Sequence, residues 1–170
     1  LQENFILIPS HGYGVEYQHE PKIDDKTKLA SIISSNKNWT EGHRYRLDLV
    51  DRFKEQADLF GRGIKDIGKK EDALLPYYFH FCIENDSYPD YWSEKLLDAL
   101  VSKCLVFYHG CPPATLSSYF NLDSIVPINE FEPSMLSIDF YLSRIDAIND
   151  NYFRALKYNT AEDIIFDLIK

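Results

Sequence analysis

Between Glu84 and Lys95 one short polar crossing gathers Glu84, Asn85, Tyr91, Ser93, Glu94 and Lys95, which together offer carboxylate, amide, phenol, hydroxyl and ammonium groups. The crossing lies within Tyr78 to Cys111, which reads as buried strand, polar loop, helix, buried strand and glycine turn. In an open α/β sheet such a crossing is where ligands bind, at the carboxyl ends of strands and the positive ends of helices. Asp90 or Ser93 can cap a helix that opens near Trp92, leaving backbone N–H groups free at its start. Lys95 falls in that first turn, where a cation opposes the helix dipole unless an anion lies between them, and phosphate is a common anion there. Glu94 can accept hydrogen bonds from sugar hydroxyls, as an acid does for ribose in dinucleotide folds. Tyr91 offers a flat face and a hydroxyl. Taken singly, Glu94 and Lys95 also read as surface charges and Tyr91 as a packing ring; their shared placement favours a joint site.

A second cation stands out upstream. A helix predicted from Thr40 or Gly42 to about Gln56 buries Leu49, Val50, Phe53 and Ala57 at helical spacing. Arg46 projects from the same stripe, either as an exposed helix-end arginine or as one partner of an anion held against the preceding loop. Residues 37–70 hold nine of the 18 Lys and Arg against six acids, a surplus of three positive charges in a chain whose net charge is −9. That surplus fits a solvated face or an anion site equally well. The Gly61-Arg62-Gly63 run permits a tight turn or a close approach to a ligand, and decides neither.

Around these residues strands and helices alternate. Strands are predicted at Lys28 to Ser35, Ala57 to Gly61, Tyr78 to Ile83, Cys104 to Tyr108 and Asp123 to Ile128. After the first helix, helical segments are predicted within Gly68 to Tyr77, then at Trp92 to Ser102, Ala114 to Phe120, Pro133 to Ala147, Asp150 to Asn159 and Ala161 to Ile169. Short connections between alternating elements imply a Rossmann-like α/β fold, a parallel sheet with helices on both faces. Residues 1–27 read as an N-terminal arm or inter-domain linker, and 28–170 as one domain, for which 45% apolar composition is enough. The acidic balance disfavours nucleic acid as a partner. No CxxC or HxxxH spacing points to a metal, and no apolar run approaches the ~20 residues of a membrane span. Cys82 and Cys104 sit in apolar runs and look like core thiols, consistent with a reducing, cytoplasmic setting, although localisation rests only on that and on the absence of a signal segment.

The motif resembles a known family. The run Tyr77-Tyr78-Phe79 to Glu84-Asn85, then Asp90-Tyr91-Trp92-Ser93-Glu94-Lys95-Leu96, then Leu105-Val106-Phe107-Tyr108-His109-Gly110 is similar to the nucleotide-sugar motif of α-1,3-fucosyltransferase-like glycosyltransferases. The similarity extends loosely over Lys28 to Asn159, with Arg46 matching the family's upstream arginine and Asn149 to Tyr158 its Asn/Tyr/Phe-rich helix. The resemblance implies the C-terminal, donor-binding half of a GT-B fold. It implies that Arg46 and Lys95 neutralise the diphosphate of GDP-fucose, and that Asn85, Tyr91 and Glu94 contact phosphate, ribose or sugar. Glu84, Ser93, His109 and Gly110 are possible supporting residues. No cofactor beyond the nucleotide-sugar donor is implied. The family inverts configuration with a carboxylate base in its N-terminal domain, so the base and the glycan acceptor are expected to come with a second domain. Two departures stand out: Ser102-Lys103-Cys104 replaces an Ala-Gly pair, and His109 precedes Gly110. His109 is either a nucleotide donor or a structural strand-end residue. The alternatives are a transferase domain for another nucleotide sugar and a non-catalytic nucleotide- or carbohydrate-binding module.

Overall fold

A computed structural model of the chain describes residues 20–158. The helix expected at Ala161 to Ile169 and most of the 1–27 arm lie outside the described residues. The sheet has five parallel strands, β1 (Lys28–Ile33), β2 (Asp58–Phe60), β3 (Tyr77–Ile83), β4 (Leu105–His109) and β5 (Ile125–Pro127), in the order β2-β1-β3-β4-β5. The α-helices are α1 (Glu41–Phe53), α2 (Glu94–Val101), α3 (Pro113–Leu116), α4 (Ile138–Leu142) and α5 (Ile145–Ala155). Strand order reverses between β1 and β3, so α1 and α2 leave the sheet on opposite faces and open a crevice at the carboxyl ends of these two strands.

Period-two alternation sends each strand's side chains to two cores. On one face Ala30, Ile32, Phe79, Phe81, Leu105 and Phe107 pack with Leu49, Val50 and Phe53 of α1 and Tyr141 of α4. On the other, Cys82, Val106 and Tyr108 pack with Leu96, Leu97, Leu100 and Val101 of α2 and Tyr152 of α5. The strands are apolar on both faces because helices cover both. The core also takes polar groups. Ser31 Oγ and His80 Nδ1 are 2.9 Å apart across β1 and β3, in full burial. Lys26, in the described part of the arm, is buried, and its Nζ donates to the carbonyls of Tyr77 (2.6 Å) and Ser102 (2.9 Å).

Several boundaries differ from the sequence expectation. The predicted helix Pro133 to Ala147 is a 3-10 turn at Pro133–Met135 followed by α4, and α5 runs unbroken from Ile145 to Ala155. Ser137 ends the first segment as the N-cap of α4, accepting from Phe140 N. The gap expected at residues 148–149 is absent, and Asn151 within α5 is buried, donating from Nδ2 to Asn121 O (2.7 Å) and Ser124 Oγ (2.8 Å) while accepting from Asn121 N (2.8 Å). Its polarity is used for a long-range tie rather than a turn.

The Ser102-Lys103-Cys104 departure has a local reason. Lys103 ends α2 in the left-handed region (φ 53°), the conformation that favours glycine at a helix C-terminus. Its ammonium pairs with Glu20 and lies 4.7 Å over the Tyr152 ring, contacts a glycine cannot make.

Candidate functional site

Both helices that border the crevice begin with side-chain caps. Thr40 Oγ1 accepts from His43 N (3.1 Å) at the start of α1, and Ser93 Oγ accepts from Lys95 N (3.3 Å) at the start of α2. Ser93, not Asp90, is therefore the cap, and α2 opens at Glu94, two residues later than Trp92. Asp90 is instead held at positive φ (61°) and accepts from Tyr119 Oη (2.8 Å).

Glu84 anchors this corner. It is wholly buried just past β3 and accepts from Ser93 N (3.0 Å), Ser93 Oγ (2.8 Å) and Lys95 Nζ (3.2 Å). Burial raises its carboxyl above the ordinary range, while Lys95 and Ser93 oppose that shift. Burial alone pulls the Lys95 ammonium down, but Glu84 and Glu94 outweigh it and hold its pKa above the usual lysine value. Burial likewise acts to raise Glu94, and Lys95 and Lys70 overcome it, leaving a carboxylate below its ordinary pKa. At neutral pH Lys95 is thus a fixed cation, reaching Glu94 Oε1 at 3.4 Å as well as Glu84.

Arg46 lies on the buried stripe of α1, 5% exposed. Its guanidinium donates to Asn85 Oδ1, to Ser35 O and Oγ (both 3.2 Å) and to Lys37 O (3.4 Å). Burial lowers its pKa, yet a guanidinium begins so far above neutrality that it stays cationic. Among the described residues its acceptors are all neutral, so its charge is hydrogen-bonded but not compensated there. Glycine makes this approach possible: a Cβ on Gly42 would clash with the carbonyl of Asn85, so the first turn of α1 sits directly on the loop after β3.

Arg46, Glu94 and Lys95 line one cleft of about 230 Å³, together with Ser34, Ser35, Gly61, Arg62, Lys70, His80 and Asp98. Asn85 reaches it through Arg46, and Glu84 and Ser93 form its support. Tyr91 is half-buried, stacks on Tyr88 (centroids 4.5 Å apart) and has its pKa raised by burial and then by Glu84. It does not line this cleft.

His109 and Gly110 line a second cleft of about 250 Å³ at the ends of β4 and β5, with Tyr45, Ser87, Pro112 and Asn129. Among the described residues, no Asp, Glu, Lys or Arg lines it. The His109 ring packs against Tyr45 (4.9 Å), and burial lowers its pKa, with Asp86 opposing. Gly110 is required for packing, since a Cβ there would clash with the Tyr108 ring and meet Glu84 Cγ at 2.7 Å.

The first cleft therefore holds cations, carboxylates and a helix N-terminus at the strand-order reversal, where open α/β sheets bind their ligands. Lys70, paired with Asp98 at 2.6 Å, and Arg62 were not singled out from the sequence as site residues. The only signal for either was the basic surplus of residues 37–70. Among the described residues, no helix is long and apolar enough to cross a membrane.

The chain is similar to known proteins in sequence and in fold. The model of the glycosyltransferase family 10 (fucosyltransferase) C-terminal region matches residues 23–166. The Alpha-(1,3)-fucosyltransferase FucT of Helicobacter pylori is 27% identical over 120 residues, covering 68% of this chain and 24% of that protein. A crystal structure of an alpha1,3-fucosyltransferase with GDP-fucose superposes with a TM-score of 0.52 at 25% identity, over 79% of this chain and 40% of the other. The structure with GDP gives 0.51 at 25% identity, over 79% and 39%. The chain thus spans about a quarter of the curated relative and about two fifths of the solved ones. Its Rossmann-like sheet with helices on both faces corresponds to the C-terminal half of a GT-B fold. With most of its length matched by the family model, the chain belongs to glycosyltransferase family 10, the fucosyltransferases, and carries their C-terminal region.

Proposed function

We propose that this chain is the donor-binding domain of a fucosyltransferase and holds GDP-fucose in the cleft between β1, β3 and the start of α2. The observation that carries this is the convergence of Arg46 from α1 with Glu94 and Lys95 from α2 on that one cleft. A relative 25% identical to this chain has been solved with GDP-fucose, which favours guanosine diphosphate over other nucleotides. Arg46 and Lys95 take the diphosphate at the positive end of α2, and Glu94 takes ribose hydroxyls. Asn85 orients Arg46, Glu84 and Ser93 orient Lys95, and Tyr91 closes the loop beside them.

In an inverting transfer the acceptor hydroxyl oxygen attacks C1 of fucose as the bond from C1 to the diphosphate oxygen breaks. The electron pair leaves with GDP, and a general base takes the hydroxyl proton. Cations already in place lower the cost of the charge that develops on the leaving diphosphate. Glu84 and Glu94 are both engaged with Lys95, so the base and the glycan acceptor are assigned to a second domain.

A thermal-shift titration tests the donor assignment. GDP at about a hundred times its dissociation constant should stabilise the chain by about 2.7 kcal/mol, with UDP giving much less. Equal shifts with GDP and UDP would favour a domain for a different nucleotide sugar.

A further inference from the structure

The basic segment 37–70 delivers Arg46, Arg62 and Lys70 to the same cleft as Lys95, but the four cations differ in how their charge is met. Lys70 donates to Asp98 at 2.6 Å, and Lys95 lies between Glu84 and Glu94. Both ammonium charges are therefore offset by carboxylates before any ligand arrives. Among the described residues Arg46 has only neutral acceptors. Arg62 makes no ion pair among the described residues.

Arg62 sits on the turn after β2, where Gly61 (φ 124°) and Gly63 (φ 78°) both adopt backbone that favours glycine. A Cβ on Gly61 would clash with the carbonyl of Ser34, so the turn is folded hard against the end of β1 and built into the cleft wall. Asn36 N donates to the Arg62 carbonyl (3.3 Å) and fixes the turn further. A diphosphate carries at least two negative charges, and among the described residues the cleft has two cations left without a carboxylate. Guanidinium suits that task, because its planar fork meets phosphate oxygens in pairs.

We infer that Arg62 is a second phosphate-binding arginine, which together with Arg46 supplies the uncompensated positive charge for the donor's diphosphate. This rests on the proposed binding of a nucleotide diphosphate in the cleft. Lys95 and Lys70 contribute hydrogen-bond donors there whose charge the neighbouring acids already offset.

The test is calorimetric titration of the 170-residue chain and its Arg62→Gln and Arg62→Lys variants with GDP and with guanosine, at low and high salt. Arg62→Gln should weaken GDP binding about tenfold or more and flatten its salt dependence, while binding of guanosine stays unchanged. Arg62→Lys should restore the salt dependence and only part of the affinity, because the fork is lost. Arg62 is exposed, so both variants should melt as the parent does. If the parent binds GDP and Arg62→Gln binds it with equal affinity and salt dependence, Arg62 is only a turn residue and the cleft assignment stands. An equal loss for guanosine would also overturn the inference, since guanosine has no phosphate. A parent chain that binds no GDP would overturn both the inference and the donor assignment.

Discussion

Lowering the pH below neutrality should unfold this domain more steeply than its surface carboxylates alone require, because of His80. The imidazole is fully buried in β3, with Ser31 Oγ 2.9 Å from Nδ1, and burial pushes its pKa down to about 3. An unfolded chain would protonate the same histidine at about 6.5. The folded pKa is the lower one, so the stabilisation is present in full above about pH 6.5 and is lost as pH falls toward 3. Each pH unit in that window costs about 1.4 kcal/mol, so acidification to about pH 4.5 removes roughly 3 kcal/mol. That is a large fraction of the 5–15 kcal/mol typical of a domain. The assay is urea denaturation across pH 7 to 4.5 for the parent chain and for His80→Asn, which keeps polarity but does not titrate. The parent should lose roughly 3 kcal/mol more than the variant over this range, whatever the variant's stability at pH 7. Parallel profiles would refute a histidine buried in its neutral form. Glu84, Glu94 and Lys95 border the same region, and the comparison cancels their titration to first order.

Other residues give separate tests. Arg46→Ala and Lys95→Ala should each weaken GDP binding by roughly 1.5–3 kcal/mol, the scale of a charge-assisted contact, and unchanged affinity in both would remove the phosphate assignment. Glu84→Ala should cost about 3–5 kcal/mol of stability in denaturant titration, because Ser93 and Lys95 lose a buried charged partner; a change within error would mean the corner is held by other contacts. Leu100→Ala should destabilise by about 2–5 kcal/mol as a fully buried leucine of α2, and a melting curve matching the parent would contradict the packing of α2 on β3 and β4.

The parts of the fold that were readable in the sequence are those where one physical signal dominates. β3 and β4 are apolar runs buried on both faces, and α1 and α2 carry apolar residues at helical spacing with a hydroxyl cap before them. Arg46 and Lys95 were visible because each opposes its surroundings, one as a cation on a core stripe and one as a cation at a helix start. Less readable were residues whose role depends on partners far along the chain. Lys26 looks like part of a charged linker, yet it is bound to carbonyls 51 and 76 residues away. Asn151 reads only as one polar residue of a predicted helix and is a buried tie to a residue 30 positions upstream. Glu84 was placed among supporting residues, but its complete burial beneath Ser93 and Lys95 follows only from how β3 and α2 meet. His109 and Gly110 end the motif in sequence, yet β4 carries them to the neighbouring cleft, where no Asp, Glu, Lys or Arg is found among the described lining residues.

The donor assignment is tested most directly by calorimetric titration of the 170-residue chain with GDP, GDP-fucose and UDP. Saturable binding of both guanine nucleotides, with UDP weak or silent and with Lys95→Ala weakening both, is the expected result. Binding of UDP equal to that of GDP, or GDP affinity unaffected by Lys95→Ala, would contradict it.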